Sequence, residues 1–170
     1  MSTAFPKASF AAPVLRALIT AGADSTAVRI TAPFLLGCGI NLAGALLRRK
    51  CYQILGDLFT FELALRENRR LVTSGPYAFV RHPSYTGGLL CVVGTLMVCL
   101  TRGSWLVECT DVVPRSWKAY LTLWGAMISL GTAGLMLRMR KEDVLLKQAF
   151  GKEWEAWAQR VPCWLFPGLY

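Results

Sequence analysis

Two short polar stretches hold the side chains best suited to chemistry in this sequence, and each abuts a long apolar run. The first, residues 66–85, contains Leu71-Val72-Thr73-Ser74-Gly75-Pro76-Tyr77 and then Arg81-His82-Pro83-Ser84-Tyr85. Gly75-Pro76 is a turn signal. Pro83 steers His82 away from helical angles and suits the first helical position, so a helix should begin at or just after Pro83. His82, the only histidine, then stands at a helix N-terminus. Orphan N–H groups and the positive dipole end suit an anionic ligand group there. The second stretch, residues 138–170, puts Arg138 and Glu142 four apart, on one helix face. An arginine fork can fix a carboxylate, and a glutamate can accept hydrogen bonds from an amino group. Each signal alone has a plainer reading: a lone histidine is more often structural, and Arg138 with Glu142 could be a solvated helix pair.

The elements that must position these residues are membrane helices. The chain has 170 residues, enough for one domain spanning residues 1–170, and is 54% hydrophobic but only 17% charged. Soluble domains carry about 25% charged residues. Residues 30–47, 83–101 and 119–137 contain no charge and are flanked by Arg29, Arg48, His82, Arg102, Lys118 and Arg138. A transmembrane helix needs roughly 17–25 mainly apolar residues, and all three runs qualify. Two weaker segments, residues 10–23 with Arg16 and residues 51–65 with Asp57 and Glu62, bring the expected spans to between three and five. The fold class is therefore all-α, a polytopic membrane bundle whose last span runs on into a C-terminal helix. Residues 1–28 are the least informative, and they lack the order of features of a cleavable signal peptide.

The net charge of +9 sits beside the apolar runs and so points to membrane anchoring, not nucleic acid. The positive-inside rule places residues 48–82 and the C-terminal tail in the cytoplasm and residues 102–118 outside. Trp154, Trp157 and Trp164 suit a helix and loop lying at the membrane interface. The six cysteines form no CxxC pair and read as small apolar residues; no metal site is expected.

Taken together, LGDLFTFEL, the run LVTSGPYAFVRHPSYTG and the tail arrangement Arg138-x-x-x-Glu142-Asp143, Phe150-Gly151, Trp154 and Arg160-Val161-Pro162 resemble the isoprenylcysteine carboxyl methyltransferase family. The resemblance covers residues 46–168. It implies S-adenosylmethionine-dependent methyl transfer to the C-terminal carboxylate of a prenylated cysteine, in prenylated CaaX proteins or prenylcysteine itself. It also implies an endoplasmic reticulum membrane, with the cofactor pocket facing the cytoplasm and membrane lipid as a further partner. The resemblance assigns cofactor contacts to Glu62, Arg69, Arg70, Leu71, Val72, Tyr77, His82, Pro83, Ser84, Tyr85 and Glu142, and the acceptor carboxylate to Arg138. Arg138 and Glu142 are the pair expected to carry catalysis. Arg69 departs from the family's usual histidine, and Asp143 replaces a second glutamate. A carboxylate is already ionised at neutral pH, with a pKa of about 3.5, so the reaction asks for orientation and exclusion of water and no general base. Three other readings stay open at this point. A phospholipid N-methyltransferase would favour a base over arginine at position 138; an inactive membrane paralogue would bind no cofactor; a sterol reductase fragment would bind NADPH. Oligomeric state is open.

Overall fold

The computed structural model describes residues 27–56, 70–109 and 117–168, all helix, turn or loop and without a strand among them. The expected segment 10–23, Glu62, Arg69 and the second half of 51–65 lie outside the described residues.

Helix α1, Ala32–Leu55, is capped by Thr31, whose hydroxyl oxygen accepts from the Phe34 N–H at 3.4 Å. It does not stop with the apolar run at residue 47 but continues through Arg48, Arg49 and Lys50. Nothing in that stretch breaks a helix until Gly56, which takes a positive φ of 50°. Helix α2 is Pro83–Leu100 and starts where the proline predicts, with His82 as its N-cap. Among the described residues it is the helix long and apolar enough to cross a membrane, with mean hydropathy 1.6. Only 22% of that span is buried, which fits a lipid-facing helix better than the core helix of a soluble protein.

α1 and α2 pack very closely. A Cβ on Gly44 would lie 2.6 Å from the Gly87 carbonyl oxygen, and one on Gly94 would lie 2.6 Å from the Gly37 carbonyl oxygen. Small residues let helix backbones approach in this way where lipid supplies no hydrophobic drive between helices. Asn41 ties the pair further, donating to the Thr95 hydroxyl at 2.7 Å and the Cys91 carbonyl at 3.3 Å. Part of the 102–118 loop folds back on the hairpin. Gly103 turns at φ 85°, its carbonyl accepts from the Arg29 N–H, and a short helix α3 follows at Trp105–Cys109.

Helix α4, Trp117–Phe150, is continuous across the boundary between apolar span and polar tail, as the sequence predicts. Its 34 residues reach about 51 Å, well beyond a hydrocarbon core of about 30 Å. Leu123, Met127, Leu130 and Leu137 are exposed on the apolar part, and residues 138–143 meet the hairpin. Gly151, at φ 50°, ends α4 and starts α5, Lys152–Arg160.

The tryptophans depart from the expected interfacial belt. Trp157 is buried, its indole N–H donating to the Tyr77 carbonyl at 3.2 Å. Trp154 and Trp164 lie against the Arg81 guanidinium, with ring centres 6.0 and 5.6 Å away. α5 and the chain after it fold back over residues 77–86, which turns these rings inward.

Candidate active site

The site forms where three pieces of chain converge on residues 77–86. The first is the local turn. Gly75 adopts φ 63° and opens a 3-10 turn, Gly75–Ala78, that delivers Tyr77 inward. Burial pushes the Tyr77 phenol well above its usual 10.0, so it stays a neutral hydroxyl at any working pH.

The second piece is α4. Arg138 and Glu142 share a face, and the Tyr85 hydroxyl sits between them. Arg138 Nε donates to that hydroxyl at 3.0 Å, and the hydroxyl donates to Glu142 Oε2 at 2.8 Å. The three residues are thus joined through a single oxygen. Asp143 is one residue on, about 100° around the helix, and points into the protein. It is buried, with Oδ2 accepting from Arg81 Nη1 at 3.1 Å and Oδ1 lying 3.1 Å from His82 Nε2. The His82 contact is close enough for an ion pair but is not aligned as a hydrogen bond.

The third piece is the strap after α5. The Arg81 N–H donates to the Cys163 carbonyl and the His82 N–H to the Trp164 carbonyl, each at 2.9 Å. The Thr86 hydroxyl donates to the Leu165 carbonyl, and Arg81 Nη2 donates to the Pro162 carbonyl at 2.7 Å. His82 is held on all sides: its ring meets Tyr85 and Trp164 edge-on, at centroid distances of 5.7 and 6.3 Å.

Of the residues singled out from sequence, His82, Tyr85, Arg138 and Glu142 come together, and Tyr77 stands close enough for the Glu142 charge to act on it. Pro83 is fully buried as the first residue of α2. The Ser84 carbonyl accepts from Arg48 Nη1 at 3.1 Å, so Ser84 faces α1. Arg70 is exposed, and Leu71 and Val72 are half-buried on the approach to the turn. Sequence reasoning missed Arg81 and Asp143 as a linked pair. The signal for the pair in the sequence is the adjacency of Arg81 to His82 and of Asp143 to Glu142.

The site also holds polar atoms that want partners. His82 Nε2 and Asp143 Oδ1 face each other at 3.1 Å, which leaves Arg81 Nε and Trp154 Nε1 buried without a hydrogen bond.

Residues 35–121 match the model of the isoprenylcysteine carboxyl methyltransferase (ICMT) family. The match takes in the 70–85 stretch and ends before Arg138. Protein-S-isoprenylcysteine O-methyltransferase B of Arabidopsis thaliana is 30% identical over 128 residues, 74% of this chain and 55% of that protein. The solved structure of the eukaryotic intramembrane Ras methyltransferase ICMT superposes with a TM-score of 0.53 at 26% identity, over 75% of this chain and 40% of that one. A 7-dehydrocholesterol reductase of Xenopus laevis is 26% identical over 121 residues, 71% of this chain but 20% of the reductase. The chain spans about half the length of the curated methyltransferases it matches.

Proposed function

The chain belongs to the isoprenylcysteine carboxyl methyltransferase family, and we propose that it transfers a methyl group from S-adenosylmethionine to the C-terminal carboxylate of a prenylated cysteine. The observation that carries this reading is the Tyr85 hydroxyl shared by Arg138 and Glu142. It puts a carboxylate-binding cation and an amine-binding anion one oxygen apart.

The donor set fits the cofactor. S-adenosylmethionine supplies an electrophilic methyl on a sulfonium. Glu142 would accept from the cofactor's amino group, and the start of α2, which His82 caps and fixes, would face its carboxylate. Tyr85 and Tyr77 offer aromatic walls for adenine or sulfonium, the latter as a cation–π contact. Arg70, Leu71 and Val72 would complete the cofactor side, and Pro83 and Ser84, buried or turned to α1, would act by shaping the first turn of α2. Glu62 and Arg69 are proposed for it on the family resemblance alone.

Arg138 holds the acceptor carboxylate through its fork. Because that carboxylate is ionised at neutral pH, no residue need remove a proton; the protein's task is to fix the attacking oxygen in line with the methyl and keep water out. An amine acceptor would call for a base where Arg138 stands, which favours the carboxylate. We read α1 and the first part of α4 as further spans beside α2, within the expected three to five, with the site at the cytoplasmic face of the endoplasmic reticulum membrane. The exposed apolar faces of these helices let a prenyl chain approach from lipid.

The test is methyl transfer by the purified chain in nanodiscs, with methyl-labelled S-adenosylmethionine and either N-acetyl-farnesylcysteine or phosphatidylethanolamine. We expect label in a base-labile methyl ester of the prenylcysteine. Label in the phospholipid amine, or none in either acceptor, refutes the assignment.

A further inference from the structure

A second feature lies along α1. The ends of α1 and α2 enclose an open groove of about 600 Å³ lined by Ala45, Arg48, Arg49, Tyr52, Gln53 and Cys91. Positions 45, 48, 49 and 52 follow helical spacing, so α1 presents them on one face. That face continues up the helix through Leu42, Cys38 and Leu35, all exposed. It is an apolar lane ending in a basic mouth.

The two helices that form the mouth supply no counter-charge to it. Neither α1 nor α2 contains an acidic residue, while Arg48, Arg49 and Lys50 are consecutive. Arg48 is held in place by neutral groups: it donates to the Ser84 carbonyl at 3.1 Å and to the Tyr52 hydroxyl, and its guanidinium lies 5.3 Å from the Tyr52 ring centre. Arg49 beside it is exposed. One guanidinium is therefore preset and the next is at hand, the arrangement that grips a phosphate oxygen pair.

The lane also has a telling length. From Ala45 to Leu35 is ten residues, about 15 Å along the axis, or half of a hydrocarbon core of about 30 Å. That is the depth of one leaflet. A free phosphate would use the mouth and leave the lane empty, whereas a phospholipid would use both.

We propose that this groove binds an anionic phospholipid of the cytoplasmic leaflet, its phosphate between Arg48 and Arg49 and one acyl chain along Ala45, Leu42, Cys38 and Leu35. The groove adjoins the proposed cofactor side through Ser84, whose carbonyl Arg48 holds, but none of its lining residues is assigned to methyl transfer, and the proposal stands whether or not the chain is a methyltransferase. Arg48 links it to Ser84, so a bound lipid also braces the first turn of α2.

The experiment is native mass spectrometry of the full chain in detergent with dioleoylphosphatidylglycerol or dioleoylphosphatidylcholine, which share acyl chains and differ in charge. A basic side chain at a membrane surface strengthens anionic lipid binding about fivefold. Phosphatidylglycerol should be retained at least about fivefold more than phosphatidylcholine. R49Q, at an exposed position, should reduce phosphatidylglycerol retention about fivefold and that of phosphatidylcholine, whose phosphate charge is offset by its choline, by less. A45F keeps every charge but obstructs the lane, and should weaken both lipids. Inorganic phosphate at millimolar concentration should displace neither. Equal retention of the two lipids, or phosphatidylglycerol retention unaffected by R49Q, overturns the proposal. Displacement by inorganic phosphate overturns it in favour of a soluble-anion site, and displacement by a hexaglutamate peptide in favour of a protein-docking surface.

Discussion

Replacing Tyr85 by Phe removes one oxygen and should separate activity from stability. The hydroxyl makes two hydrogen bonds to charged groups, at 3.0 Å from Arg138 Nε and 2.8 Å to Glu142 Oε2. Each such bond is worth about 1.5–3 kcal/mol in a protected setting. Arg138 is exposed and Glu142 half-buried, so water replaces much of what folding loses, and the stability cost should be about 1 kcal/mol. Activity is different, because the hydroxyl keeps two opposite charges on one helix face apart. Without it, Arg138 and Glu142 are an ordinary i, i+4 pair and can close on each other. On the proposed mechanism, that closure withdraws the acceptor's cation and the cofactor's anion together. Taking about 1 kcal/mol of lost positioning at each of the two charges gives about 2 kcal/mol, or roughly 30-fold in kcat/KM. The assay is methyl transfer to N-acetyl-farnesylcysteine by wild type and Y85F in the same nanodiscs, with unfolding followed in parallel. A Y85F enzyme within threefold of wild type would show that the shared hydroxyl does not organise the site.

Three further outcomes follow from the packing. D143A strips the counter-charge from Arg81, which keeps its bond to the Pro162 carbonyl; breaking such a mostly buried pair should destabilise by about 3 kcal/mol, read from denaturant unfolding, and a loss below 1 kcal/mol refutes the linkage. Two glycines of α1 should respond in opposite directions. G44A forces a methyl to 2.6 Å from the Gly87 carbonyl oxygen and should cost about 1–3 kcal/mol, whereas G39A meets nothing within 4 Å and should gain about 0.5–1 kcal/mol of helix stability; the same unfolding assay ranks them. Burial raises the Tyr77 phenol, so the folded chain keeps a proton that the unfolded chain loses above pH 10.0. Stability from this group is therefore intact below that pH and falls as pH rises past it, and Y77F should show a shallower alkaline loss than wild type.

Some of this site was legible because proline and helical spacing constrain the backbone locally. Pro83 set the start of α2, Gly75-Pro76 set the turn before it, and the i, i+4 spacing put Arg138 and Glu142 on one face. The rest depends on contacts remote in sequence. Glu142 and Asp143 look alike as neighbouring acids, yet a rotation of about 100° sends one to the Tyr85 hydroxyl and the other to Arg81 and His82. The strap holds residues 81–86 mostly by backbone carbonyls at positions 162–165, and a carbonyl has no residue type to read. The tryptophans misled for a related reason. Their composition suits an interface, but a ring that can lie against Arg81 or donate to the Tyr77 carbonyl does so once the chain folds back. The end of α1 was likewise invisible to an argument from apolar runs, because charge ends a span without ending a helix.

That last point bears on how the proposed reaction meets the membrane. In α4 the apolar surface ends at Leu137, which is exposed, and Arg138 follows it directly. Glu142 is one turn further, about 6 Å along the axis. A single unbroken helix therefore sets the depth of both groups relative to lipid. Arg138, proposed to bind the acceptor, stands at the edge of the apolar surface, and Glu142, proposed to bind the cofactor, one turn beyond it. A prenylated cysteine is anchored by its hydrocarbon and can lift its carboxylate little further than that edge, while S-adenosylmethionine arrives from water. Placing Arg138 before Glu142, and not after it, matches the direction from which each reactant comes. Exchanging the two side chains, R138E with E142R, keeps charge and helix spacing but reverses that order, and should abolish transfer to a bilayer-embedded prenylcysteine.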